Sequence, residues 1–227
     1  MNNKLIIFGN GEIAELAKYY FTNDSSYDVV AFVIDNEFIG DTHFCNLPVI
    51  PLDDLKSFYP PDQYQAHVAL SYRKLNKIRC EKYDLMKSLN YSLASYICTK
   101  SAFWDDLSIG ENCFILENQT IQPTVKIGDN VMIWSGNHLG HASIIKNHVY
   151  ISSHVVICGH CIVGERTFLG VNSTVKDFTK IGHDVFIAMD ASVVANVEDG
   201  GMVLGAKSQI YKADNKITKL IKHKFFN

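Results

Sequence analysis

Five of the nine histidines in this 227-residue chain fall in one stretch: His138, His141, His148, His154 and His160. Imidazole exchanges its proton nearest neutral pH, so such a cluster offers a general base, a metal cage or a solvated polar face. Cys158-Gly-His-Cys161 has the spacing of a redox pair. Near the start, Gly9-Asn10-Gly11-Glu-Ile-Ala14 has the form of a phosphate-binding turn, in which glycines let main-chain N–H groups approach an anion at a helix N-terminus. Asp35 ends the apolar run Val29–Ile34, where a carboxylate can hold a ribose hydroxyl.

The elements that must position these groups follow from a period of six. From Ile109 to Val193, fifteen consecutive sixth positions are aliphatic. A helix repeats at 3.6 residues and a strand at 2. Six fits a short strand plus a turn with one inward side chain, the pattern of a parallel β-helix built from hexapeptide repeats. Three units make a triangular coil of about 18 residues, with coils stacked at the inter-strand spacing of ~4.8 Å. Ile109, Ile127, Ile145, Val163 and Ile181 then form one buried ladder. Four residues after each aliphatic lies a small or β-branched residue, Gln119 and Asn137 excepted. Period alone leaves the hand open; ordinary crossover preferences would make it right-handed.

The hexad also sorts the chemistry. Cys161 takes a small inward position and Cys158 an ordinary repeat position, so the pair needs no redox role. All five histidines fall on turns or outward positions. His148, His154 and His160 recur every six residues, so they point to successive faces and diverge; no metal is expected. His141 lies between Pro123 and Gly159 of the adjacent coils, which leave its ring unobstructed. It is the candidate base.

The first hundred residues differ. Strands are expected at Lys4–Phe8, Val29–Ile34, His67–Leu70 and 91–97, with helical segments from Ile13, at Pro51–Phe58 and at Arg73–Leu89. The alternation is α/β with a parallel sheet. The expected domains are 1–98, an α/β unit; 99–212, the β-helix; and 213–227, a helical tail. The first is too short for a complete NAD-binding domain, so a mononucleotide or sugar nucleotide is the expected ligand, held by Asn10, Gly11 and Asp35. A net charge of −3 gives no nucleic-acid footprint, and no apolar run reaches membrane-spanning length. The start lacks a signal pattern, so a cytoplasmic location is expected. In the tail, Ile217, Leu220, Ile221 and Phe225 share one helical face; it is expected to cap the last coil, with membrane-surface contact the alternative.

A short Rossmann-like domain joined to a hexapeptide β-helix resembles the PglD/NeuD group of sugar acyltransferases, hexapeptide-repeat acetyltransferases, and the stretch Trp134–His141 resembles the perosamine N-acetyltransferase subgroup. The resemblance implies a left-handed β-helix, a homotrimer with active sites between subunits, acetyl-CoA as donor and a nucleotide-linked 4-amino-dideoxy sugar as acceptor. It implies His141 as the catalytic base and His148 as the residue meeting the thioester. Val171, Met189 and the segment Gly205-Ala206-Lys207 would line the coenzyme A groove. Where the family carries a carboxylate after the catalytic histidine, this chain has Ala142, leaving Asn137 or His138 to orient the base. The resemblance also suggests a role in cell-surface polysaccharide biosynthesis. Competing functions are sugar O-acetylation, a γ-type carbonic anhydrase and a non-catalytic nucleotide-sugar binder.

Overall fold

The computed structural model describes residues 3–226. Five strands form the N-terminal sheet: β1 (Lys4–Phe8), β2 (Asp28–Ile34), β3 (His43–Phe44), β4 (Leu47–Pro51) and β5 (Gln65–Val68), in spatial order β3-β4-β2-β1-β5. All pairings are parallel except β3 with β4. Successive β1 residues point to opposite faces, and both faces are covered. Leu5 and Ile7 pack toward α1 (Glu12–Asp24), which buries Ala14, Ala17 and Phe21. Ile6 and Phe8 pack toward α2 (Leu55–Phe58) and α3 (Lys77–Ser88). This is why β1 reads as an unbroken apolar run.

From Tyr96 to Val203 the chain winds as a three-sided coil of two-residue strands. The first face stacks Phe114–Ile115, Met132–Ile133, Tyr150–Ile151, Phe168–Leu169, Phe186–Ile187 and Met202–Val203. The second runs from Ser108–Ile109 to Lys180–Ile181 and the third from Thr120–Ile121 to Ser192–Val193. Ile109, Ile127, Ile145, Val163 and Ile181 pair in register, as the hexad requires. These stacked parallel sheets fit the left-handed β-helix. The inward Gln119 and Asn137 are also accommodated. Gln119 Nε2 donates to the carbonyls of Leu116 (2.8 Å) and Trp134 (2.7 Å), and Asn137 Oδ1 accepts from the Val155 amide (2.6 Å). Buried polar groups are tolerated when paired in this way.

Each corner of the coil contains a residue in the left-handed backbone region. Every sixth residue from Asn112 to Asp190 has positive φ. That region disfavours a Cβ, and Asn, Asp and His tolerate it best. His148, His154 and His160 are corner residues, so their spacing reports backbone geometry.

Two expectations are corrected. Segment 91–97 is divided: Leu93 bridges Ala66 of the N-terminal sheet, while β6 (Tyr96–Ile97) pairs with Phe114–Ile115 and starts the first face of the coil. The coil therefore begins before residue 99. The tail does form α4 (Lys216–Phe226), but Ile217, Leu220, Ile221 and Phe225 remain exposed instead of sealing the last coil.

The N-terminal unit covers the first face. Phe21 and Tyr20 of α1 pack on Phe114, whose ring lies 6.4 and 5.8 Å from theirs. Arg79 of α3 is almost fully buried. Its guanidinium donates to the carbonyls of His148 (2.9 Å), Val149 (3.2 Å) and Asn130 (3.3 Å) at one corner. Burial lowers its pKa to about 10, so it is charged at neutral pH. Below it, Asn112 exchanges hydrogen bonds with the Val68 backbone and reaches Asn130.

Two predictions follow from this packing. Ile145→Ala should cost ~2–5 kcal/mol, read from urea denaturation, because neighbouring coils cannot collapse into the gap. The second concerns pH. His67 is enclosed by Phe21 and Phe114, and burial lowers its pKa to about 4. The unfolded chain therefore binds the extra proton between about pH 6.5 and 4, and stability should fall by ~3 kcal/mol as pH drops through that window. His67→Asn should flatten that slope in denaturation curves taken at each pH.

Candidate active site

His141 stands just before the Ala142 corner that joins the third face to the second. Its main-chain N–H donates to Gln122 Oε1 at 2.8 Å, and its Nδ1 lies 3.1 Å from the same oxygen. That oxygen is an acceptor, so Nδ1 carries a proton, and in the neutral ring the lone pair lies on Nε2. The exposed imidazole is thus held in the tautomer a base requires. On the next coil, a Cβ at Gly159 would come within 2.7 Å of the ring, so any side chain there would displace the imidazole. The His160 ring meets His141 in a T-shaped contact at 5.0 Å and stacks on Phe178 at 4.9 Å.

The orienting group is therefore Gln122, and neither Asn137 nor His138 takes that role. Asn137 is buried inside the coil, where its amide donates to the Trp134 carbonyl. His138 lies on the third face between Thr120 and Val156. Sequence reasoning missed Gln122 because it lies a full coil back; counting 18 residues back from His141 reaches its immediate neighbour.

His148 stands apart from His141 at the next corner, between the second and first faces. It is buried to 7 % exposure beneath Tyr83, whose ring is 5.4 Å away, and its Nδ1 meets the Asn130 amide at 2.9 Å. Burial and the neighbouring Arg79 charge lower its pKa. The expectation that His148 meets a thioester is corrected on this ground: α3 covers it.

The other groove candidates do align. Val171 and Met189 are both exposed at the corner between the first and third faces, and the Asp190 amide donates to the Val171 carbonyl (2.9 Å). A Cβ on Gly205 would lie 2.5 Å from the Met189 carbonyl oxygen, which places Gly205 next in the column. Ala206 and Lys207 follow, exposed. Among the described residues no group of three His, Cys, Asp or Glu converges as a metal site.

The N-terminal candidates line one cleft of about 330 Å³, with Asn10, Gly11 and Asp35 facing Arg73 and Lys82. Lys82 pairs with Asp35 at 2.5 Å. Gly9 needs to be glycine: its φ is +119°, and a Cβ would press on the Ala69 carbonyl at 2.9 Å. Gly11 does not, since nothing in the protein lies within 4 Å of a Cβ there. Gly11 lines the cleft and stands at the N-terminus of α1. A second recess of about 490 Å³ shares Gly11 and Arg73 and reaches Trp134 and Tyr150 on the coil. Both recesses lie on the side of the first face. His141 occupies the corner opposite that face, so one chain does not bring cleft and base together.

Two segments match family models: residues 106–141 match the bacterial transferase hexapeptide (six repeats), and residues 161–195 match the hexapeptide repeat of succinyl-transferase. Both matched segments lie in the coil and are hexapeptide repeats. Its fold is shared, over 91% of its length and all of the other chain, with the acetyltransferase domain of PglB from Neisseria gonorrhoeae in complex with acetyl coenzyme A (TM-score 0.80, 19% identity). It is shared also with PerB from Caulobacter crescentus, solved with CoA and GDP-perosamine (TM-score 0.68, 18% identity, 92% of this chain and 97% of that one). Among curated sequences, the acyl-[acyl-carrier-protein]--UDP-N-acetylglucosamine O-acyltransferase of Sinorhizobium fredii is 33% identical over 112 residues, 46% of this chain and 42% of that protein. The match thus spans about two fifths of that relative.

The two glycines give a test. Gly9→Ala should destabilise the fold. Gly11→Ala should leave the melting temperature unchanged, yet weaken binding of UDP, GDP or dTDP by about tenfold or more in calorimetry, because the added methyl fills the anion's space.

Proposed function

We propose that this chain transfers the acetyl group of acetyl-CoA to the amino group of a nucleotide-linked 4-amino-dideoxy sugar. The observation that carries the proposal is the Gln122–His141 pair, an exposed imidazole whose neutral form is held with its lone pair on Nε2. The sugar nitrogen attacks the thioester carbonyl carbon. His141 Nε2 takes the proton from that nitrogen as it becomes tetrahedral. Collapse expels the coenzyme A thiolate, which recovers the proton. A main-chain N–H of the coil would stabilise the oxyanion. Holding two substrates in one place supplies much of the acceleration.

The N-terminal unit, read as Rossmann-like, binds the nucleotide at Asn10, Gly11 and Asp35, the last held by Lys82, with Arg73 supplying positive charge to the diphosphate. The column of Val171, Met189 and Gly205, continuing to Ala206 and Lys207, lines the coenzyme A groove. The placement of cleft and base on opposite sides supports a homotrimer in which neighbouring chains complete each site. The domains are those expected from sequence, with the coil starting a few residues earlier, and the cytoplasm is the compartment that supplies both substrates. The fold-sharing proteins named above, solved with acetyl coenzyme A and with GDP-perosamine, support this chemistry.

A second reading is O-acylation, favoured by the curated relatives, whose names specify acyl transfer to oxygen. A panel of UDP-, GDP- and dTDP-linked 4-amino sugars, each compared with its 4-hydroxy counterpart, separates the two. Release of the coenzyme A thiol with the amines alone is expected; transfer only to hydroxyls would replace the proposal. His141→Ala should lower turnover by ~10²–10⁴, the usual range for general acid–base help. Gln122→Ala should lower it less, by about tenfold, since the ring remains but its tautomer is no longer fixed.

A further inference from the structure

Phe178 is an anomaly for folding. It holds a corner position with φ of +60°, in a backbone region where bulky side chains are rare. The other corners from Asn112 to Asp190 carry Asn, Asp, His, Thr, Ala, Arg or Gly. Its side chain is also 71% exposed, so burial does not compensate for the backbone conformation. Asparagine, already used at Asn172, would serve the coil better. Strain and apolar exposure at one residue point to a ligand rather than to the fold.

The position of the ring indicates which ligand. Phe178 lies flat on His160, with 7° between the planes, and His160 meets the His141 ring. The small Ala142 and Gly159 leave the base open on this side. Gln122 occupies the Nδ1 edge of His141, and the rings of His141, His160 and Phe178 follow one another along this corner of the coil. Resting on the acetyl transfer proposed above, we infer that Phe178, shelved on His160, holds the sugar ring of the acceptor beside His141. A deoxy sugar presents an apolar C–H face, and an aromatic ring in water is the natural surface for it. Phe178 is thus a specificity residue, and His160 positions it.

Phe178→Asn tests this, because asparagine suits the left-handed corner. The acceptor used is the member of the nucleotide-linked 4-amino sugar panel that wild type acetylates; if wild type acetylates none, the proposed function fails and this inference fails with it. With an acceptor in hand, Phe178→Asn should raise its KM by about tenfold, the loss expected for one aromatic contact. The KM for acetyl-CoA, the mass by light scattering and the melting temperature should hold, the last rising if anything. Phe178→Tyr should behave as wild type. An unchanged acceptor KM, a change in the acetyl-CoA KM instead, a lower melting temperature or a change in assembly mass would each overturn the inference while leaving acetyl transfer intact.

Discussion

The structure depends on a main chain that closes on itself every eighteen residues. Hydrogen bonds run from one coil to the next, as from the Phe114 amide to the Val131 carbonyl and from Tyr150 to Thr167. Each coil leaves its polar backbone unsatisfied until its neighbour supplies the partner. Closure demands a left-handed residue at every corner and a branched aliphatic inside each strand. Chemistry is confined to what remains: the outward strand residue and the positions flanking a corner. His141 uses one of these, and Gln122, a coil away, uses another.

Two packing systems meet on the first face. The coil presents Tyr96, Phe114, Met132 and Tyr150 outward, and α1 covers them. Arg79 then fixes α3 to the corner beside His148 with no carboxylate partner among the described residues, its charge spread over main-chain carbonyls and the Asn76 amide oxygen. A cation held by carbonyls at the negative end of several peptide dipoles is better placed than one buried alone. The clamp sets the N-terminal cleft firmly against the coil.

Much of this was legible in the sequence. The hexad gave the ladders, their register and the harmlessness of Cys158 and Cys161. The strand–glycine–helix pattern placed Asn10, Gly11 and Asp35 around one cleft. What escaped had a common cause: contacts made across coils or across domains leave no local trace. Gln122 reaches His141 from the coil below. His148 looked exposed because the hexad says nothing of what α3 covers. Tyr96 and Ile97 read as a strand of the α/β unit because two residues cannot reveal their partner. The corner histidines were the reverse case, a pattern that resembled chemistry and belonged to the backbone.

The eighteen-residue closure governs which changes in length the molecule can absorb. Adding a whole turn would lengthen the prism and keep each later side chain on its own wall. Inserting a single residue within a strand would send every aliphatic beyond it out into water and bring the outward residues in. Loops at the corners can swell, but the walls can grow only in complete circuits, so the distance between any two functional positions along the axis comes in fixed steps.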